Sequence, residues 1–236
     1  MIGAGGLGRE VVEAVRAINL RTPTWDLLGF VDDAEGLAGT TVGSVPVIGP
    51  VADLADYPDA RLVLAVGSSA NMFARIRLAA RLNLASDRYA TVVHPAATLA
   101  ESTSVGPGSV VLAGAVTTAD VHIGAHVVLM PHVLLTHDDS VGDHSTLAGG
   151  ARLAGGVRLH EGVYVGAGAV VREHLAIGPW ALIGMGAVVI TDVPPGEMWA
   201  GCPATVRRMV DVPPDLQSPP GGPLPGRAVG LEPHEG

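Results

Sequence analysis

From Val93 to Val189 one kind of residue returns every six positions. Val93, Leu99, Val105, Val111, Thr117, Ile123, Leu129, Leu135, Val141, Leu147, Leu153, Leu159, Val165, Val171, Ile177, Ile183 and Val189 share this register. Sixteen of these seventeen are aliphatic, with Thr117 the exception. The fifth position of each hexad is mostly Ala, Ser, Thr or Val, and the second is Gly at 106, 124, 142, 166, 178 and 184. An α-helix turns every 3.6 residues and cannot hold a period of six at this glycine density. The pattern predicts a solenoid in which each hexad is one flat face and one corner. The aliphatic residue points inward, the small fifth residue fits the corner, and glycine relieves strained backbone. Three hexads close a triangular coil, so residues eighteen apart stack at about the 4.8 Å strand spacing.

Residues 1–90 alternate differently. Gly3-Ala4-Gly5-Gly6-Leu7-Gly8 opens an amphipathic segment from Arg9 to Asn19, and Leu28 to Asp33 reads as a short strand ending in carboxylates. Leu62 to Gly67 is a continuous apolar run, as in a buried parallel strand. Asn71 to Leu82 is a helix with Ser68 or Ser69 near its cap. This order predicts a small Rossmann-like α/β unit. Only Met1 and Ile2 precede the glycine loop, so the expectation is a very short first strand or a start further upstream. The predicted organisation is therefore an α/β unit over 1–90, a parallel solenoid over 91–210, and a disordered Pro/Gly-rich tail over 211–236.

Composition sharpens this picture. Hydrophobic residues make up 48% of the 236, yet only eight are aromatic, so the core must be aliphatic. The net charge is −9 and all fourteen cations are Arg, an acidic balance that argues against a nucleic-acid partner. A single cysteine, Cys202, makes no internal disulfide and suits a reducing cytoplasm. No apolar run approaches the length of a membrane span, and no basic region leads an apolar stretch at the N-terminus. The expected location is cytoplasmic.

The hexad repeat resembles the left-handed β-helix acyltransferases. The opening Gly3-Ala4-Gly5-Gly6-Leu7-Gly8-Arg9-Glu10, the strand Gly29-Phe30-Val31-Asp32-Asp33 and the turn Val45-Pro46-Val47-Ile48-Gly49 narrow the match. They are similar to sugar acyltransferases of the sialic acid O-acetyltransferase type, a group that includes acetyltransferases of nucleotide-linked 4-amino sugars. The resemblance covers about residues 1–210. It implies a left-handed coil, acetyl-CoA as donor, a sugar or nucleotide-sugar acceptor, and a homotrimer with active sites between neighbouring subunits. It implies no metal.

Acyl transfer from a thioester needs a general base, an oxyanion donor and a place for the CoA arm. Thr136-His137-Asp138-Asp139-Ser140-Val141-Gly142-Asp143 matches the family's His-Asp stretch, which makes His137 the base and Asp138 the carboxylate that orients it. His137 holds the third position of its hexad and should point outward near a corner. Gly155 lies eighteen residues on and should stack against it, where the family uses a backbone N–H for the thioester oxygen. Gly166, Gly168, Gly184 and Gly186 are candidate contacts for the pantetheine arm, and Arg207 and Arg208 for the CoA phosphates. The Gly201-Cys202-Pro203-Ala204 turn resembles the family's Gly-Asn-Pro-Ala. The family places the nucleotide sugar on the N-terminal unit, which makes Gly3, Gly5, Gly6 and Gly8 a phosphate loop at a helix N-terminus. Asp32 and Asp33 become candidates for the ribose, base or amine.

Three positions depart from that pattern. Asp139 puts a carboxylate at a small inward position; it should either turn outward to support His137 or mark a local distortion. Thr146 stands where the family often has a second histidine, and remains a candidate acetyl-CoA contact. Leu7 replaces a common histidine of the glycine loop. Two rival readings stay open. A γ-type carbonic anhydrase would hold zinc with three histidines; His132 and His137 have the right separation, but the third ligand falls on Ala96, with His94 out of register. A non-catalytic trimeric scaffold would use none of this chemistry.

Overall fold

The computed structural model describes residues 1–216. The expectation for the tail from residue 217 onward lies outside the described residues. Residues 211–216, which the sequence assigned to a disordered tail, instead end in a short 3-10 turn, Pro214–Leu216, with Asp215 3.4 Å from Arg77.

Between residues 92 and 189 the chain runs through fifteen two-residue strands and one further pair that begins the series, all parallel. They fall into three ladders, visited in the same cyclic order, and each strand bonds to the strand eighteen residues away. The first ladder takes Val92–Val93, Val110–Val111, Val128–Leu129, Thr146–Leu147, Tyr164–Val165 and Leu182–Ile183. The second takes Val116–Thr117, Leu134–Leu135, Arg152–Leu153, Val170–Val171 and Val188–Val189. The third takes Ser104–Val105, His122–Ile123, Ser140–Val141, Arg158–Leu159 and Ala176–Ile177. The antiparallel pair Glu197–Gly201 and Ala204–Met209 continues the first ladder.

One aliphatic core serves all three ladders. The first and fifth hexad positions from Val111 to Val193 contribute nearly all of it, most of them wholly buried. Each buried Val, Leu or Ile contributes on the order of 1.5–3 kcal/mol, so the period itself is the stabilising unit. Thr117 stays inside because its hydroxyl meets Thr103 Oγ1 at 2.6 Å and accepts the Ala100 N–H at 3.2 Å.

The corners differ from the expectation. Positive φ does not belong to the second-position glycines. It belongs to the fourth position of every hexad from 108 to 186, where φ lies between 54° and 72°. That column mixes Gly with Asp120, His126, His132, Asp138, His144, His174 and Trp180, residue types of which Asp and His tolerate this conformation best. The second-position glycines answer a different need. A Cβ on Gly142 would stand 2.5 Å from the His160 carbonyl carbon, because adjacent circuits approach closely there.

The N-terminal part packs on the first ladder. Helix α1 (Gly6–Arg21) sets Val11, Ala14 and Val15 against Val92, Val110, Leu112 and Val128. Ile2 bridges both Val31 and Leu64 in parallel, and Phe30–Val31 pairs in parallel with Val45–Gly49. Helix α2 (Ala74–Leu82) is shorter than expected and has no side-chain cap; Ser68 Oγ instead accepts the Asn71 N–H in the turn before it. No helix among the described residues is long and apolar enough to cross a membrane.

Candidate active site

His137 lies in the connection from the second ladder to the third, three-fifths exposed. Asp138 follows in the left-handed conformation at φ 62°, which turns its carboxylate back on the ring. Nδ1 of His137 is 2.8 Å from Asp138 Oδ2. An ionised carboxylate only accepts, so the proton sits on Nδ1 and Nε2 is left as the acceptor.

Gly155 lies beneath that ring, as the eighteen-residue spacing predicts. A Cβ at 155 would fall well inside contact distance of His137 Cε1 and Nε2, so the stacked imidazole requires a glycine there. Gly156 N–H donates to the His137 carbonyl at 2.8 Å and locks the two circuits together. The Gly155 N–H itself donates to no group among the described residues.

Asp139 does not turn outward. It is wholly buried, its Oδ2 accepting the Thr136 N–H at 2.7 Å and its Oδ1 the Val157 N–H at 2.8 Å. Burial pushes this carboxyl up to about 7, against the two N–H bonds and His137, which hold it down, while Asp138 pushes it up.

The other predicted residues do not gather around His137 within one chain. Gly166, Gly168, Gly184 and Gly186 lie in the connections from the first ladder to the second, a different corner. Their N–H groups are already donated, to Ile183, Gly149, Trp199 and Ala167 carbonyls. What they leave for a ligand is open space beside Gly168 and Gly186, not free amides. Thr146 is on the first ladder, and its hydroxyl accepts from Arg75 Nη2 at 2.5 Å. Arg207 and Arg208 sit on the last strand, not on a helix. Each is exposed and spends one donor on a nearby carbonyl, of Ala200 and Met209 respectively.

In the N-terminal part the glycine loop and the two aspartates do come together. Asp32 Oδ2 accepts the Ala4 N–H at 2.8 Å and Oδ1 the Ala34 N–H at 2.9 Å. Asp33 accepts the Val51 N–H at 2.8 Å and pairs with Arg81 at 3.0 Å, and the Val51 bond with Arg81 holds its carboxyl below the usual range. Asp32 thus anchors the loop. Gly8 is required by closeness to the Gly3 carbonyl and the Phe30 ring, whereas Gly5 and Gly6 face open space at the uncapped start of α1.

Arg75 is the residue that sequence reasoning missed. It is 3% exposed, and it reaches from α2 to the first ladder and the corner before it. Its guanidinium donates to the carbonyls of Val66, His126, His144 and Ser145 as well as to Thr146. Desolvation pulls it down to about 10, so it stays charged at neutral pH. The signal was available: Arg75, Leu78, Ala79 and Leu82 share one helix face, where an arginine breaks an apolar stripe. Beside it His126 and His144 stack at 5.0 Å, and burial pulls His144 down to about 4.

His132 and His137 stand at different corners. Among the described residues no three His, Cys, Asp or Glu side chains converge as metal ligands.

Comparison with known proteins adds to this geometry. Residues 1–82 match the family model described as the PglD N-terminal domain. A stretch of 117 residues is 34% identical to the UDP-N-acetylbacillosamine N-acetyltransferase of Bacillus subtilis (strain 168), covering 48% of this chain and 50% of that protein. The chain thus spans about half the length of that curated relative. The acetyltransferase domain of PglB from Neisseria gonorrhoeae, solved with acetyl coenzyme A, is 31% identical with a TM-score of 0.76, over 87% of this chain and 97% of that one. PerB from Caulobacter crescentus, solved with CoA and GDP-perosamine, is 29% identical with a TM-score of 0.77, over 88% and 95% of the two chains.

Proposed function

The chain belongs to the family of nucleotide-linked amino-sugar acetyltransferases, and from that premise we propose that it moves the acetyl group of acetyl-CoA onto the amino group of a nucleotide-linked amino sugar. The observation that carries this reading is His137, its Nδ1 held by Asp138 and its ring stacked over Gly155. Neutral Nε2 takes a proton from the amine as its nitrogen attacks the thioester carbonyl. The developing oxyanion takes a hydrogen bond from the Gly155 N–H, where the absence of a side chain leaves the amide uncovered. The thiolate of CoA then leaves and is protonated. The relatives named as N-acetyltransferases favour an amine over a hydroxyl acceptor.

We read the three ladders as a left-handed β-helix over 91–210, and residues 1–90 as the unit that holds the nucleotide sugar. In that reading the phosphates meet the open start of α1 at Gly5 and Gly6. A second inference follows from the corners. His137 and Gly155 are on one, while Gly168, Gly186 and Thr146 are elsewhere in the chain. The site is complete only when a neighbouring copy brings its glycine corner against His137, which supports a homotrimer with sites between subunits. Arg207 and Arg208 keep donors free for CoA phosphates. An acetyl-CoA reaction and a lone exposed thiol, Cys202, are consistent with the cytoplasm.

The test is thiol release from acetyl-CoA with a panel of nucleotide-linked amino sugars beside their hydroxyl counterparts. Release with an amino sugar and none with its hydroxyl counterpart is the expected result. No release with any amino sugar, or equal release with both kinds, would overturn the assignment.

A further inference from the structure

Of all the fifth hexad positions, only 139 carries a charge. Aliphatic or alanine residues fill most others, and serines fill 109 and 145. Those serines show what a polar group can do there. Ser109 Oγ accepts the Val127 N–H at 2.9 Å and donates to the Gly124 carbonyl at 2.8 Å. Ser145 Oγ accepts the Val163 N–H and donates to the His160 carbonyl, both at 3.1 Å. A hydroxyl thus ties its own corner to the next circuit and is satisfied as donor and acceptor.

A carboxylate behaves differently, because it accepts twice and donates nothing. Asp139 takes the Val157 N–H from the circuit that carries Gly155, and the Thr136 N–H from the residue just before His137. Elsewhere a fifth-position N–H turns back to the carbonyl three residues earlier, as Ala151 does to Ala148 and Ala169 to Gly166. At 157 the N–H is drawn away to Asp139. The loop 136–139 is therefore closed around His137 and fastened to the strand entry just past Gly155. The fold incurs a cost for this: a buried carboxyl with no cationic partner is unfavourable, and a serine would satisfy the corner without it.

We propose that Asp139 is a positioning residue for acyl transfer, clamping the loop that bears His137 onto the circuit that bears Gly155 and so fixing the imidazole relative to the Gly155 amide. This rests on the reading of His137 as the base. The titratable groups that act on the carboxyl are His137 and Asp138.

The experiment uses the full chain with Asp139→Ala, Asp139→Ser and Ser109→Ala, assayed by thiol release from acetyl-CoA with the acceptor identified above. Asp139→Ala is expected to lower kcat about 10–10²-fold, the loss that follows from a misplacement near 1 Å, with KM for acetyl-CoA within about 2-fold. Asp139→Ser keeps the Val157 tie and should retain an intermediate kcat. Ser109→Ala deletes an equivalent tie far from His137 and should leave kcat within about 2-fold of the parent. A folded Asp139→Ala with parental kcat overturns the proposal. Loss of folded protein in both Asp139 variants also overturns it, because the residue then serves stability alone. His137→Ala separates the two readings: if it retains activity the base assignment fails, whereas an inactive His137→Ala beside a fully active Asp139→Ala removes only the positioning role.

Discussion

Substituting Gly155 by alanine tests the stacking at the centre of the site. The added methyl would occupy the space that Cε1 and Nε2 of His137 fill, so ring and methyl cannot coexist as they stand. The backbone at 155 is tied to its neighbours, with the Gly155 carbonyl accepting the His174 N–H at 2.9 Å and Gly156 donating to the His137 carbonyl at 2.8 Å. The imidazole is the freer partner, being three-fifths exposed, so the ring swings out and the 2.8 Å contact with Asp138 is lost. Because an exposed side chain moves and no core contact is broken, the cost in stability should stay within about 0.5 kcal/mol. Catalysis should suffer far more. Displacing a general base by an ångström or more costs about 10²-fold in kcat, or about 2.7 kcal/mol of transition-state stabilisation. The assay is steady-state thiol release from acetyl-CoA together with a thermal melt. A Gly155→Ala protein that melts like the parent and turns over at the parental rate would refute the reasoning. One that is inactive and unfolded would show that the glycine serves the coil instead.

Three further outcomes follow from the same contacts. Asp138→Asn should lower kcat by about 10²–10⁴-fold with the fold intact, because an amide can hold the wrong imidazole tautomer; unchanged kcat would contradict the orienting role. Arg75→Met leaves four carbonyls without their donor and should cost about 3 kcal/mol or more in urea denaturation, with an unchanged midpoint as the contrary result. His144, pulled down to about 4 by burial, stays neutral in the folded state while the unfolded chain takes a proton below about 6.5. That term falls as pH drops from 6.5 toward 4, by at most about 1.4 kcal/mol per pH unit. Asp139, raised to about 7, has the opposite sign, since folding then favours its protonated form and its term weakens as pH rises from about 4 to 7. His144→Asn should therefore melt higher than the parent at pH 5 relative to pH 7.5, and an identical pH dependence would contradict the assignment.

The ladder registers were legible because an inward position in a parallel stack repeats without exception, and aliphatic side chains announce it. The His137–Gly155 pair followed from the same period. The corners were not legible, because the left-handed fourth position accepts Gly, His, Asp and even Trp180, so no residue type marks it. The second-position glycines were visible, but they reflect the approach of the next circuit and not their own torsion angles. Asp139 was visible as an exception, yet its direction depended on two N–H groups, one of them eighteen residues away. Arg75 bonds to carbonyls 51 to 70 residues distant, and a local pattern can say only that an arginine is out of place on its helix face. The glycine corner at 166–186 looked suited to a ligand through its amides, but each amide is used by the ladder. Only the pairing of strands could show that.

The most direct measurement of the central claim is CoA release by His137→Ala in its folded assembly, at saturating acetyl-CoA and amino-sugar acceptor. A fall of about 10²-fold or more in kcat, with the melting temperature unchanged, is predicted for loss of the general base. Release at the parental rate would contradict it.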